Sequence, residues 1–284
     1  MRYRVFYHIY VGAGAACLAI VDEQLQTLLS SRIFDSIESV ECCVTGNDRE
    51  NYDNVLQRLA ALGGKFKINI AAFDDKTHER FTLTRLMAQA EPDTAYLYMH
   101  TKGMTRPESL PVREWRHCLE HFLINQAHQY VDLLQSNDTL GIFRLQKKYR
   151  IDGVGMVTDH YSGNFWWARG DYLQRLAKQQ PTIGGEYLAP EMYVLSASDP
   201  PPRVVNLFPK SASYKDYASR LPESEYVDHV YRPLCTDFNL VYTIVAVLLL
   251  LAILFIVILA NRLAGGRTKR CKDWRRKNSI ALLQ

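Results

Sequence analysis

An α/β fold, with a mostly parallel sheet flanked by helices plus one C-terminal transmembrane helix, is predicted by three features of this 284-residue sequence. Short β-rich runs alternate with amphipathic helical patterns through the first half, as in a parallel sheet with helical crossovers. Those runs end in polar residues, as strand ends do when they face a common crevice. Residues Leu240–Ala260 are 21 consecutive positions without a charge. At about 1.5 Å per residue such a helix crosses a bilayer core.

Each element has its own warrant. Arg4–Tyr10 is β-rich and reads as the first strand. Cys17–Ser31 places Leu18, Val21, Leu25, Leu28 and Leu29 at helical spacing. Ser39–Thr45 is a strand closed by Gly46-Asn47. Asn51–Leu62 carries Val55, Leu56, Leu59 and Leu62 on one helical face and stops at Gly63-Gly64. Lys67–Phe73 is a strand ending in Asp74-Asp75, and His78–Ala90 is a helix closed by Pro92-Asp93. Thr94–His100 is a fourth strand that runs into Thr101-Lys102-Gly103. The second half is less regular. Val112–Gln135 is a long helix with Trp115, Leu119, Phe122 and Leu123 inward. Thr139–Leu145 and the aromatic Tyr161–Arg169 are strands, Gly170–Gln179 is a short helix, and Glu191–Ser196 begins a short element after Pro190. There is no internal repeat, no Gly-rich dinucleotide fingerprint and no P-loop.

Charge is unevenly placed. The formal net charge is +4, yet eight basic residues and one acid lie between Arg262 and Gln284, which leaves the first 261 residues at −3. A body without a basic face is not expected to bind nucleic acid. Six cysteines without a CxxC spacing read as reduced core thiols, Cys271 in the tail apart. The predicted organisation is a soluble domain over 1–215, a juxtamembrane linker over 216–239, a membrane helix over 240–261 and a basic tail over 262–284. The tail belongs in the cytosol by the positive-inside rule, which places the body outside it. Val5–Val21 after Arg2 and Arg4 has the outline of a signal peptide, but Tyr7, His8 and Tyr10 interrupt it, and a first strand over Tyr3–Val11 competes with it. The expectation is a single-pass membrane protein with a cytosolic body, and a lumenal or extracellular body is the alternative.

The residues that can carry chemistry sit at strand ends. His8 follows the first strand's apolar run. His100 and Lys102 close the fourth, where they can hold an anionic group while Gly103 admits close backbone approach. Adjacent Trp166 and Trp167, after Gly163-Asn164, suit stacking on a planar or sugar face; an aromatic core strand is the alternative.

Five segments together carry a resemblance: Tyr7-His8-Ile9-Tyr10, Tyr96-Leu97-Tyr98-Met99-His100-Thr101-Lys102-Gly103, Trp115-Arg116, the run Ser162–Arg169, and the run Pro190–Ser196. In this order and spacing they resemble a glycosyltransferase family of large DNA viruses and bacterial polysaccharide loci, over about residues 3–215. The resemblance implies a GT-A-like, Rossmann-like fold with a nucleotide-binding half and then an acceptor half. It implies a nucleotide-sugar donor and a glycan, lipid or protein acceptor. Most GT-A enzymes end the fourth strand with Asp-x-Asp, which holds a divalent metal on the donor diphosphate; here the position is His100-Thr101-Lys102, and a lysine can neutralise the diphosphate directly. No metal ligand is therefore assigned, although Mn or Mg remains compatible through Asp74-Asp75, which is otherwise a cap and turn. The expected roles are catalytic for Glu191 (the base), Lys102 and His100; donor-binding for His8, Asp74, Asp75, Arg85 and Lys102; and acceptor- or sugar-binding for His160, Asn164, Trp166 and Trp167. Glu186 and Asp171 are weaker candidates for the base. The missing Asp-x-Asp also admits an inactive sugar- or nucleotide-binding membrane protein.

Overall fold

In the computed structural model, residues 1–12, 14–70, 73, 78–152, 154–209, 219–232, 251 and 255 are described. The first half alternates as its pattern dictates: β1 (Arg2–Val11), α1 (Ala15–Ser30), β2 (Ile37–Gly46), α2 (Arg49–Ala61), β3 (Phe66–Ile70), α3 (Arg80–Gln89) and β4 (Thr94–His100). The long helix expected over Val112–Gln135 is broken. It comprises α4 (Leu110–Glu120), a π turn (His121–Asn125), the short α5 (Ala127–Tyr130) and a 3-10 turn (Val131–Gln135). Gln126 leaves helical geometry at φ −102°, ψ 6°, and ends the helical ladder there. The chain continues through β5 (Thr139–Gly141), β6 (Arg144–Leu145), β7 (Tyr149–Ile151), β8 (Gly155–Val157), β9 (His160–Tyr161), β10 (Trp166–Arg169), α6 (Gly170–Gln179), α7 (Ala189–Tyr193) and β11 (Val204–Asn206).

Two expected strands are each split by a left-handed residue. Phe143, at φ 54°, separates β5 from β6, and Gly163 and Asn164, at φ 96° and 50°, separate β9 from β10. The β7–β8 hairpin has no strong sequence signal, because each of its strands is only three residues long.

Seven strands form one sheet in the order β11-β5-β10-β4-β1-β2-β3. All neighbouring pairs are parallel except the two made by β10, which runs against β4 and β5. Right-handed crossovers explain the layers. From β1 the chain moves outward through α1 to β2 and through α2 to β3, then returns through α3 to the opposite side of β1. Helices α1, α2 and α4 therefore cover one face with Val5, Tyr7, Ile9, Leu97 and Met99, while α3 and α6 cover the other with Phe6, Tyr96, Tyr98 and Trp166. Both faces of β1 and β4 are buried, which is why these strands read as apolar runs without clean alternation.

The described chain separates into two units, Met1–Tyr231 and Arg232–Gln284. The first extends past the expected end at residue 215. Leu221 and Tyr226 are buried, Tyr226 packs on His121 with ring centroids 5.2 Å apart, and Arg220 grips Glu114 at 2.6 Å. Part of the expected linker therefore belongs to the domain. In the second unit, no helix among the described residues is long and apolar enough to cross a membrane. Most of the expected span lies outside the described residues, as does the basic tail. Cys17, Cys42, Cys43 and Cys118 are buried, as core fillers should be.

Trp167 holds the centre of the first face. It is fully buried, its indole N–H donates to the Leu123 carbonyl at 2.8 Å, and Tyr3 meets it edge-on at 6.0 Å. Trp167→Ala is expected to destabilise the fold by about 3–5 kcal/mol. Urea unfolding checks this: the midpoint should fall with little change in slope.

Candidate functional site

The strand order reverses direction between β1 and β4, the place where open α/β sheets form their ligand crevice, beyond the carboxyl ends of the strands. His8 and His100 are direct partners across this pair. Thr101 fastens the two ends: its N–H donates to the His8 carbonyl at 3.0 Å, and its hydroxyl accepts from the Tyr10 N–H and donates to the Tyr10 carbonyl, both at 3.0 Å.

A polar cluster lies on the α3 side of this crevice. His8 is buried and its Nδ1 meets the Thr82 hydroxyl at 2.8 Å. Glu79, just before α3, accepts from the Tyr98 hydroxyl at 2.7 Å and from the Asn164 amide at 2.5 Å on the same oxygen, Oε2. Burial works against its charge, but the imidazoles of His100 and His8 and these two hydrogen bonds outweigh burial and hold the carboxyl below the ordinary range. Burial, followed by the Glu79 charge, keeps the Tyr98 phenol firmly protonated.

The turn Ser162–Phe165 supplies the opposite wall. Its Gly163 carbonyl meets His100 Nε2 at 2.9 Å, while its Gly163 N–H donates to Glu191 Oε1 at 2.7 Å. Pro190 lies in the first turn of α7, where its missing N–H costs nothing, and Glu191 follows it towards the turn. Asn164 bridges outward and inward, since its Oδ1 accepts the Trp166 indole N–H at 2.9 Å. A Cβ on Gly163 would lie 3.4 Å from Lys102 Cε and 2.9 Å from Leu119 Cδ1, so the lysine stem packs directly on this glycine. Lys102 is itself buried, with its ammonium 4.7 Å from the centroid of the Trp115 ring, and its carbonyl accepts from Arg116 at 3.2 Å.

Of the residues expected from sequence, His8, His100, Lys102, Asn164 and Glu191 thus converge on one crevice. The others do not join it in the expected way. Trp166 and Trp167 are fully buried, Trp166 stacked on Tyr98 at 5.1 Å, so neither has a ring face to offer a sugar; they are the aromatic core strand of the alternative. His160 is buried and its Nδ1 is occupied by the Thr158 carbonyl at 2.7 Å. Arg85 lies against the end of β2, where its charge acts on the Cys43 thiol, and its Nε has no hydrogen-bond partner among the described residues. Asp171 is tied to Arg169 beside it. Asp74 and Asp75 lie outside the described residues. Sequence reasoning passed over Glu79 and Tyr98. Glu79 carried the one available signal, a carboxylate at a helix start following a strand end.

A divalent ion on a diphosphate, as in GT-A enzymes, would need oxygen donors at the end of β4. The donor set there is an imidazole, a hydroxyl and an ammonium. The hydroxyl is spent on Tyr10 and the imidazole Nε2 on Gly163. These residues do not fit such an ion.

The depressed Glu79 carboxyl fixes the sign of an acid effect. A group whose folded pKa lies below its unfolded value stabilises fully above the unfolded value, and this is lost as pH falls through the folded one. Glu79→Gln keeps the shape and removes the charge. The stability gap between wild type and variant should be widest above about pH 4.3, the ordinary glutamate value, and should narrow at lower pH. Urea unfolding at neutral pH and in acid reads this out.

A family model described as "Domain of unknown function (DUF8361)" matches residues 6–181, and the chain belongs to that family. No curated protein matches the sequence. Among solved structures, the chain is similar to S. aureus TarS 1-349 in complex with UDP, at 13% identity and TM-score 0.41 over 76% of this chain and 62% of that one. It is similar to the mannosyltransferase PcManGT from Pyrobaculum calidifontis in complex with GDP-Man and Mn2+, at 9% identity and TM-score 0.40 over 72% and 55%. It is also similar to 4-diphosphocytidyl-2C-methyl-D-erythritol synthase, at 11% identity and TM-score 0.38 over 80% and 96%. The chain thus spans less than two thirds of the TarS and PcManGT chains, and at these scores the overlap says nothing of activity.

Proposed function

We propose that this DUF8361 chain is a glycosyltransferase that moves a sugar from a nucleotide-sugar donor to a hydroxyl on a glycan, lipid or protein acceptor. One observation carries the reading: Gly163 links His100 and Glu191 through its carbonyl and its N–H, beside Lys102, at the carboxyl ends of β1 and β4. The five-segment sequence resemblance supports it.

In this reading the donor diphosphate lies over the end of β4. The bond from the anomeric carbon to the diphosphate oxygen breaks, and the nucleoside diphosphate leaves with the electron pair. Lys102, backed by the Trp115 ring, offsets the charge that develops there. The acceptor hydroxyl oxygen bonds to the anomeric carbon and gives its proton to Glu191, the general base. The Gly163 N–H fixes one Glu191 oxygen and leaves the other for that proton. His100 and Asn164 orient sugar hydroxyls from the side of Glu79. No step is routed through a metal.

Purified full-length chain should bind one of a panel of nucleotide sugars and transfer or hydrolyse it. Glu191→Gln should lower turnover by roughly 10²–10⁴-fold while donor affinity stays nearly unchanged. Lys102→Ala should weaken donor binding by about tenfold or more, the scale of one charge-assisted contact. Folded wild-type chain that binds no donor sinks the proposal. Binding without turnover, unchanged in Glu191→Gln, identifies an inert sugar-binding module instead, the reading that the missing Asp-x-Asp favours.

The uncharged run Leu240–Ala260 supports a membrane anchor, which would hold transfer at a membrane surface. The body is proposed to lie in the cytosol. In sealed microsomes, added protease should then degrade the body before detergent is added. A protected body would place it in the lumen and satisfy the charge rule instead.

A further inference from the structure

Glu23 on α1 and His117 and Glu120 on α4 line one cavity of about 220 Å³, on the sheet face opposite Glu79. His117 and Glu120 are three residues apart and so share a helix face. One donor atom from each of the three side chains lies within 4.8 Å of the other two.

Three facts set this cluster apart from an ordinary ion-pair group. The Glu120 side chain is only 4% exposed, and its Oε1 has no hydrogen-bond partner among the described residues; its nearest charge, Arg116 Nε, stands off at 3.5 Å. A buried carboxylate oxygen left so is unfavourable unless something binds it. His121 lines the same cavity, and its buried Nε2 likewise has no hydrogen-bond partner among the described residues. Arg116 divides the Glu23 carboxylate: the guanidinium takes Oε2 at 2.6 Å, and Oε1 turns to His117 Nε2. An outer partner that fixes one carboxylate oxygen and sets the other against an imidazole nitrogen holds two donor atoms side by side, as outer partners do for metal ligands.

We propose that Glu23, His117 and Glu120 bind a divalent ion of the zinc class and clamp α1 to α4. One imidazole nitrogen and two carboxylate oxygens suit zinc, with bonds of about 2.0–2.2 Å and a fourth position left for water or His121. The same set is poor for Mg2+, which takes oxygen donors in octahedral geometry. Two carboxylates facing the single Arg116 guanidinium leave the cavity short of positive charge, which the ion supplies. Arg116 also holds the Lys102 carbonyl at 3.2 Å, so the clamp reaches the segment that carries Lys102. The site lies apart from the crevice and does not depend on the transfer reading.

The test uses full-length chain stripped with chelator and titrated with Zn2+ alone or Mg2+ alone, followed by calorimetry and thermal unfolding. Co2+, in place of zinc, reports the ligand geometry by visible absorption. Expected are binding of one equivalent of Zn2+ through this site, a Tm that rises with zinc and not with magnesium, and at least a tenfold loss of affinity in His117→Ala and in Glu23→Gln. The His117 side chain is 39% exposed, so its removal leaves the core intact. If it nevertheless prevents folding, Glu23→Gln carries the comparison. Zinc bound equally by wild type and variants, no binding at micromolar zinc, or a Tm that zinc does not move would each overturn the proposal.

Discussion

Two successive residues with positive φ, Gly163 and Asn164, set the position of most polar groups in the crevice. Glycine is required at the first because the lysine, tryptophan and leucine side chains that crowd it leave a Cβ no room, and because the backbone there is left-handed. Asparagine tolerates that region better than other side chains, and its amide then reaches Glu79 on one side and Trp166 on the other. The left-handed backbone at Gly163 aims its carbonyl at His100 and its N–H at Glu191. Because β10 runs against its neighbours, the entry to this strand, not its exit, lies at the carboxyl ends of β1 and β4. The direction of a single strand thus brings the second half of the chain to the site.

The first half was legible because its signal is local. Apolar positions at helical spacing, glycine stops and polar strand ends fix β1 to β4 with boundaries close to those observed, and the crevice follows from the order of crossovers. His8, His100 and Lys102 could be placed for the same reason. The second half was less legible because tertiary packing overrides pattern there. Trp166 and Trp167 look like a binding platform in sequence, yet adjacent strand residues point to opposite faces, and both faces of this sheet are covered. Glu79 was missed because nothing near it in sequence reveals that Tyr98 and Asn164 will close on it. The break in the long helix left no trace, since π and 3-10 turns carry no strong composition signal.

The two faces of the sheet treat buried charge differently. On one, Glu79 is surrounded by donors and keeps its charge. On the other, Arg116 serves two carboxylates at once: Glu23, bonded first by His117 and also paired with Arg116, falls to about 2, while burial pushes Glu120 up to about 7. One guanidinium cannot satisfy both in the same geometry, and the carboxylate with the longer contact is the one left wanting a partner.

The contacts that build the crevice join distant parts of the chain: His8 to Thr82, Glu79 to Asn164 and His100 to Gly163 are separated by 74, 85 and 63 positions. Such contacts carry a large loop-closure entropy and form late. As the chain leaves the ribosome, β1 through β4 can pair while their polar ends still lack partners. The crevice is finished only when the turn before β10 and then Glu191 have emerged. A nascent chain cut short before that point can hold much of the sheet and none of the completed crevice, so premature fragments are spared an idle competence for ligand.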